Sequence, residues 1–258
     1  MNTTTCTDPE QLPQALIEAL HQARRVAVLT GAGVSADSGI PTFRDAQTGV
    51  WEHFDPMELA SPEGFSNDPA TVWEWYQWRR ELIGRTRPNA GHHALVELAT
   101  RVPRLDLITQ NVDGFHRLAG SDPVLELHGN IQRSICSRTR REIDADWLAT
   151  HADHKPPPSP HHPDGLARPD VVWFGEALDE DVLRAAFEIA EGCDLMLVAG
   201  TSGAVQPAAS LPAIAARAGA AVIEINPQRS ELTALARWHL AGPSVTWLPA
   251  LAASLETH

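Results

Sequence analysis

Short apolar runs of strand length alternate along the chain with segments whose apolar positions recur at helical spacing. Val26 to Thr30, Leu105 to Thr109, Val124 to Leu127, Val171 to Phe174, Leu195 to Ala199 and Ala221 to Ile225 are the buried-strand candidates. Helical patterns at 91–100, 180–191 and 207–218 fall between several of them. Near the N-terminus, Asp8 and Pro9 read as an N-cap and first helical residue, opening an amphipathic helix with Leu12, Leu16, Ile17 and Leu20 on one face. Helices alternating with strands that are apolar throughout predict an α/β fold, a Rossmann-like, doubly wound parallel sheet.

Two stretches break the alternation and predict a smaller inserted lobe. Residues 48–90 hold Trp51, Trp73, Trp75 and Trp78, and Trp75, Trp78 and Leu82 fall at helical spacing. Residues 130–169 hold Arg133, Arg138, Arg140 and Arg141, then a proline-dense run that forbids helix or central strand and reads as an irregular loop. On this division residues 8–47, 91–129 and 170–258 make the Rossmann-like domain, and 48–90 with 130–169 the small lobe.

Composition narrows the picture. With 258 residues, 43% hydrophobic and 21% charged, one large domain with a small insertion is expected. Twenty Lys plus Arg against 33 Asp plus Glu leave a formal charge of −13, which argues against a nucleic-acid partner. No apolar run approaches the ~20 residues of a membrane span. The polar, acidic start lacks the basic and apolar regions of a secretory signal, so no membrane association and a cytoplasmic location are expected. Cys6, Cys136 and Cys193 are too few and too far apart for a disulfide framework or a four-thiolate zinc site.

Candidate chemistry gathers after the strands. Gly31, Ala32 and Gly33 form a glycine turn between strand and helix start, which offers backbone N–H groups to a phosphate and removes side chains that would block its approach. Gln110, Asn111 and Asp113 follow an apolar strand at the end where open α/β sheets bind ligands, although Asn and Asp also cap helices. His128, beside Gly129, follows another, and its near-neutral intrinsic pKa suits a general base. Gly200, Thr201, Ser202 and Asn226 follow two more, as site residues or as turn formers. Tyr76 and Arg79, three apart on a helix, can present a phenol and a guanidinium to one carboxylate.

Six segments, GAGVSADSGIPTFRD (31–45), TQNVDGFH (109–116), LHG (127–129), RPDVVWFGE (168–176), AGTSGAVQPAA (199–209) and INPQ (225–228), resemble in order and spacing the sirtuins, the NAD-dependent protein-lysine deacylases. The resemblance spans nearly the whole chain. It implies NAD as co-substrate between the two lobes and acylated-lysine proteins as partners. Gly31, Ala32, Gly33, Ala36, Thr42, Phe43, Arg44, Gln110, Gly200, Thr201, Ser202, Asn226 and Ser244 would bind the cofactor, with Phe43 shielding the ribose and Arg44 ordering the loop. Asn111 and Asp113 would hold the nicotinamide carboxamide. After the acyl carbonyl oxygen displaces nicotinamide, His128 would deprotonate the ribose hydroxyls, and water would release O-acyl-ADP-ribose and free lysine.

Val172 and Phe174 would line the cleft in which the substrate peptide pairs as an added strand. Ala60, Tyr76 and Arg79 resemble the acidic-acyl branch, in which a small residue widens the pocket and a Tyr-x-x-Arg pair binds the carboxylate, so succinyl and malonyl are expected to exceed acetyl. One feature departs from the family. Its two CxxC pairs, which bind a structural zinc, are reduced here to Cys136 in the first and to Pro160-His161-His162-Pro163 in the second, so no metal is expected. Cys136 with two or three of His151, His154, His161 and His162 would be a chemically acceptable replacement set. ADP-ribosyl transfer from the same NAD site and non-catalytic NAD sensing are the alternative readings. Oligomeric state is open.

Overall fold

A computed structural model describes residues 3–40 and 55–256. In chain order the elements are β1 (Thr4–Cys6), α1 (Gln14–Gln22), β2 (Val26–Thr30), α2 (Pro56–Leu59), α3 (Pro62–Asn67), α4 (Pro69–Gly84), α5 (Ala90–Arg101), β3 (Leu105–Thr109), α6 (Phe115–Ala119), β4 (Val124–Glu126), β5 (Gly129–Cys136), α7 (Ala145–Thr150), β6 (Ala167–Val171), α8 (Glu180–Gly192), β7 (Leu195–Ala199), α9 (Leu211–Arg217), β8 (Ala221–Ile225), β9 (Trp238–Leu240) and α10 (Ser244–Ser254). Among the described residues no helix is long and apolar enough to cross a membrane.

Seven strands form a parallel sheet in the order β1, β9, β8, β7, β2, β3, β4, while β5 and β6 pair antiparallel in a small second sheet. From β2 the chain runs outward through β3 and β4, then restarts at β7 on the other side and runs outward through β8 and β9. The order therefore reverses between β2 and β7, which opens a crevice at their carboxyl ends.

Both sheet faces are covered, which explains why the strands read as apolar runs and not as alternating patterns. Val26 and Val28 pack with Leu16 and Leu20 of α1, Leu95 and Leu98 of α5 and Trp247 and Leu251 of α10. Ala27 and Leu29 pack on the opposite face with Ala186 and Ala190 of α8 and Leu211 and Ala215 of α9. Each fully buried leucine contributes roughly 2 kcal/mol. A third apolar cluster joins Leu59, Ala60, Phe65, Val72, Trp75, Tyr76 and Ile83 to Phe115, Ile131, Val171 and Trp173, and so fastens α2, α3 and α4 to the small sheet.

Several elements differ from their sequence pattern. The first helix starts after Pro13, not at Pro9, because Pro13 has no N–H for the helix ladder and its ring would clash with the carbonyl four residues back. Asp8 instead closes a turn, accepting the Glu10 N–H at 3.0 Å. The strand expected at Val171 to Phe174 lies earlier, at Ala167–Val171, with Pro169 opposite Ser134 at an irregularity in the pairing. Helical pattern 207–218 divides into a 3-10 turn at Ala208–Ser210 and α9. On α4, Val72, Trp75, Tyr76 and Ile83 are buried, while Trp78 and Leu82 of the expected face are only half-buried. Within residues 130–169 the proline-dense run 151–165 is irregular as expected, with a single bridge from Pro158 to Leu166, and β5, α7 and β6 flank it.

Candidate active site at the switch point

The turns after β2 and β7 meet backbone to backbone. The Gly31 N–H donates to the Ala199 carbonyl at 3.0 Å and the Gly33 N–H to the Gly200 carbonyl at 2.8 Å. A Cβ on Gly33 would lie 2.7 Å from the Gly200 Cα, and one on Gly31 2.8 Å from the Gly200 oxygen. Gly200 itself sits at φ 64°, where its own Cβ would meet the Val34 nitrogen at 2.5 Å. These glycines therefore let one turn pack on the other, and their own amides are taken up by the Ala199 and Gly200 carbonyls. The N–H groups of Ala32, Thr201 and Ser202 have no acceptor among the described residues, and these are the donors the crevice offers. Ala32, Ala36 and Ser202 are exposed beside it. Thr42, Phe43 and Arg44 lie outside the described residues.

A buried polar network stands behind this turn. The Asn111 amide nitrogen donates to the Gly31 carbonyl at 3.1 Å and contacts Ser35 Oγ at 3.3 Å. Ser35 Oγ donates to Asp113 Oδ2 at 2.7 Å, and Asp113 Oδ1 accepts the Phe115 N–H at 2.8 Å. Burial raises the Asp113 pKa, although the Phe115 amide, the Ser35 hydroxyl and Arg79 oppose it. His92 Nδ1 accepts the Asn89 N–H at 3.2 Å in the cap of α5, so its proton sits on Nε2 and points at Ser35 Oγ 3.3 Å away. Desolvation, with His93 adding to it, pushes the His92 pKa down to about 4. Deeper still, Thr30 Oγ1 donates to Thr109 Oγ1 at 2.8 Å and faces His116 Nε2 at 2.8 Å, and Thr109 Oγ1 accepts the Asn111 N–H at 3.0 Å. The sequence analysis placed Asn111 and Asp113 but missed Ser35, His92, Thr30, Thr109 and His116, which hold them. Ser35 lies inside the glycine-turn motif and Thr109 and His116 begin and end the TQNVDGFH segment, whereas Thr30 and His92 fall in none of the six segments.

His128 is half-buried at the end of β4, and its Nδ1 lies 3.0 Å from the Gln110 carbonyl. A carbonyl only accepts, so the neutral ring carries its proton on Nδ1 and its lone pair on Nε2. Burial lowers the His128 pKa against the effect of that hydrogen bond. The Gln110 side chain donates to Thr201 Oγ1 at 3.0 Å, and the Asn226 amide donates to the Thr201 carbonyl at 3.0 Å. These bonds link the turns after β3, β7 and β8 in one line along the crevice. Ser244 is buried at the start of α10, and the preceding Gly242 N–H reaches the Asn226 carbonyl at 3.3 Å. Val172 donates its N–H to the His128 carbonyl at 3.0 Å, which joins the chain after β6 to the residue expected to be the base.

Tyr76 and Arg79 lie on one face of α4 next to this centre. Tyr76 is fully buried, and desolvation pushes its hydroxyl up to about 12, so it stays protonated. Desolvation lowers the Arg79 pKa, opposed by the charge it shares with Tyr76 and Asp113. Ala60 is buried in the same cluster and accepts the Phe174 N–H at 2.9 Å, while the Phe174 ring is exposed. The next residue, Arg80, is structural: its guanidinium donates to the Arg133 carbonyl at 2.8 Å and to Ser134 Oγ at 3.0 Å, docking α4 on β5.

The segment that resembles the family's zinc module is organised around hydrogen-bond donors. Burial acts to raise the Cys136 thiol, but the Ser159 and Thr139 hydroxyls and the Arg138 and Thr139 amides outweigh it and hold the pKa at about 7. Ser159, one residue before the counted second pair, is thus the partner facing Cys136. A tetrahedral zinc needs lone pairs from four converging ligands, and donors aimed at the sulfur do not provide them. His151 stacks on Trp147 at 4.1 Å, His154 pairs with Asp153, and His161 Nε2 lies 2.7 Å from the Glu142 carbonyl. Among the described residues no three His, Cys, Asp or Glu side chains converge on a point that could hold a metal.

Comparison with known proteins places this geometry in a family. The Sir2 family model matches residues 31–207. The NAD-dependent protein deacylase of Methylococcus capsulatus is 46% identical over 256 residues, covering 93% of this chain and 96% of that protein. The NAD-dependent protein deacylase 2 of Pyrobaculum aerophilum is 47% identical over 234 residues, covering 91% and 92%. A crystal structure of a Sir2 homologue in complex with NAD superposes with a TM-score of 0.89 at 39% identity, covering 99% of this chain and 96% of that one. The chain belongs to the Sir2 family, the sirtuins.

Proposed function

We propose that the protein is an NAD-dependent lysine deacylase that favours succinyl- and malonyl-lysine over acetyl-lysine and needs no zinc. NAD lies along the crevice from the Ala32, Thr201 and Ser202 amides to Asn111 and Asp113, which face the nicotinamide. Asn111 holds its amide nitrogen on Gly31 and Ser35 and so turns its carbonyl oxygen to a ligand. His128 keeps a lone pair on Nε2 and removes a proton from the ribose hydroxyls. The acyl-lysine enters beside Val172 and Phe174.

The acidic-acyl reading is carried by one observation. A phenol that stays protonated and a guanidinium share one face of α4 at the buried end of the site, near Ala60. Together they match a carboxylate, which only accepts hydrogen bonds. Purified protein is incubated with NAD and matched acetyl-, malonyl- and succinyl-lysine peptides, with nicotinamide and O-acyl-ADP-ribose followed by mass spectrometry. A kcat/KM for the acidic peptides at least tenfold above acetyl is expected. Preference for acetyl would reduce Tyr76 and Arg79 to a packing role, and NAD binding without turnover of any peptide would remove the deacylase reading.

A further inference from the structure

Tyr76 does not stand alone in its pocket. Its hydroxyl oxygen lies 2.9 Å from the indole Nε1 of Trp173, and both side chains are buried. Indole can only donate, so the oxygen is the acceptor in this bond. The hydroxyl hydrogen must then point elsewhere, and no acceptor among the described residues takes it. A tyrosine hydroxyl free to rotate could accept or donate. This one is left with donation, the polarity a carboxylate requires.

The indole is held in turn. The Arg168 guanidinium lies over the Trp173 ring at 3.3 Å from its centroid, and Glu176 clamps Arg168 through two bonds of 2.6 and 2.9 Å. Glu176 also accepts the Trp173 backbone N–H at 2.9 Å. Phe65 packs against the indole at 5.2 Å and Trp75 meets Tyr76 edge-on at 4.7 Å, so neither ring of the pair can swing away. Arg168, Trp173 and Glu176 all belong to the segment after β5 that borders the peptide cleft. The brace thus reaches from the cleft wall to the helix that carries the specificity pair.

We propose that Trp173, braced by Arg168 and Glu176, is a positioning residue that fixes the Tyr76 hydroxyl as a hydrogen-bond donor to the acyl carboxylate. The proposal rests on the acidic-acyl reading above. Trp173 touches no substrate in this scheme and acts through Tyr76.

The test compares kcat/KM for matched succinyl- and acetyl-lysine peptides in the wild type, Trp173→Phe, Tyr76→Phe and the double variant. Phe keeps a ring for Arg168 to cover and removes the donor, together with part of the indole's volume, whose loss bears on both peptides alike. The succinyl-to-acetyl ratio is expected to fall about tenfold in W173F, through the KM for the succinyl peptide and not through kcat. In the Y76F background the second substitution is expected to have no further effect on the ratio, because the hydroxyl it oriented is gone. A wild type with acidic preference whose W173F variant keeps the ratio, or loses it equally with and without Tyr76, overturns the proposal and leaves the acidic-acyl reading standing. A wild type without acidic preference overturns both. Should W173F fail to fold, Arg168→Lys carries the test, since it keeps the charge and removes the planar cover. A severalfold fall in the ratio is then expected, and an unchanged ratio overturns the brace.

Discussion

His128 owes its competence to a bond on the far side of its ring. The Gln110 carbonyl fixes the Nδ1–H tautomer, and burial keeps the ring neutral by lowering its pKa from the ordinary 6.5. Replacing His128 with Asn removes the base, and general-base contributions of roughly 10²- to 10⁴-fold set the expected loss of deacylation rate. NAD should still raise the melting temperature of the variant, and loss of that shift would mean the ring holds the fold and not the proton. The direction of the shift also sets the pH profile: kcat/KM should be flat above 6.5 and decline only as pH falls through the lowered pKa. An acid limb centred above 6.5 would contradict a desolvated base. His128, Asn111 and Asp113 were legible because strand ends and family motifs mark them. Ser35 and His92 were not, because their roles depend on the Asn89 cap orienting one imidazole, a relation between residues far apart in the chain.

At the scale of elements, β5 and β6 hold Cys136 among hydrogen-bond donors. The turn after β5 supplies the Thr139 hydroxyl and two backbone amides to Cys136, and the run before β6 supplies the Ser159 hydroxyl. A chelator such as EDTA should therefore change neither activity nor melting temperature, and a fall of several degrees would reveal a bound ion. The thiol pKa, held at about 7 against an ordinary 9, gives this turn a pH dependence. A depressed pKa favours the thiolate in the native state, so its stabilisation is fully present above 9 and is lost as pH falls through about 7. Cys136→Ser should abolish any gain in melting temperature between pH 7 and 9, and an unaltered gain would exclude the thiolate. Sequence pattern found the long elements, β2, β3, β7, β8, α5 and α8, since five or more residues are long enough to show a run or a period. It missed β1, β5 and β9. Strands of three residues, such as β1 and β9, are too short for a period, and β5 turns Gln132 and Arg133 to polar surroundings. The proline run was read correctly as irregular, because prolines exclude helix and central strand while allowing hydrogen-bonded turns.

Across the whole molecule, the carboxyl end of the sheet is built on neutral histidines. His92 and His116 are buried with ring centroids 4.9 Å apart, and desolvation pushes their pKa values to about 4 and about 3, with His93 adding to the shift of His92 and His92 to that of His116. His128 is shifted the same way. The unfolded chain takes up these protons near pH 6.5, while the native state refuses them until pH is well below, so stability is fully present above 6.5 and falls as pH drops. His92 and His116 each contribute a slope approaching about 1.4 kcal/mol per pH unit in that window. Asp113 works in the opposite sense, because its raised pKa lets the native state take up a proton early and returns part of the loss. The net expectation is a fall of several kcal/mol between pH 6.5 and 4, a large share of the roughly 5–15 kcal/mol that holds a typical fold. Urea unfolding at a series of pH values reads this directly. His92→Asn, which cannot take up a proton, should be less stable at pH 7 for want of its bond to Ser35, yet its stability should fall less steeply below 6.5. Parallel curves for variant and wild type would show that acid enters this fold somewhere other than behind the glycine turn.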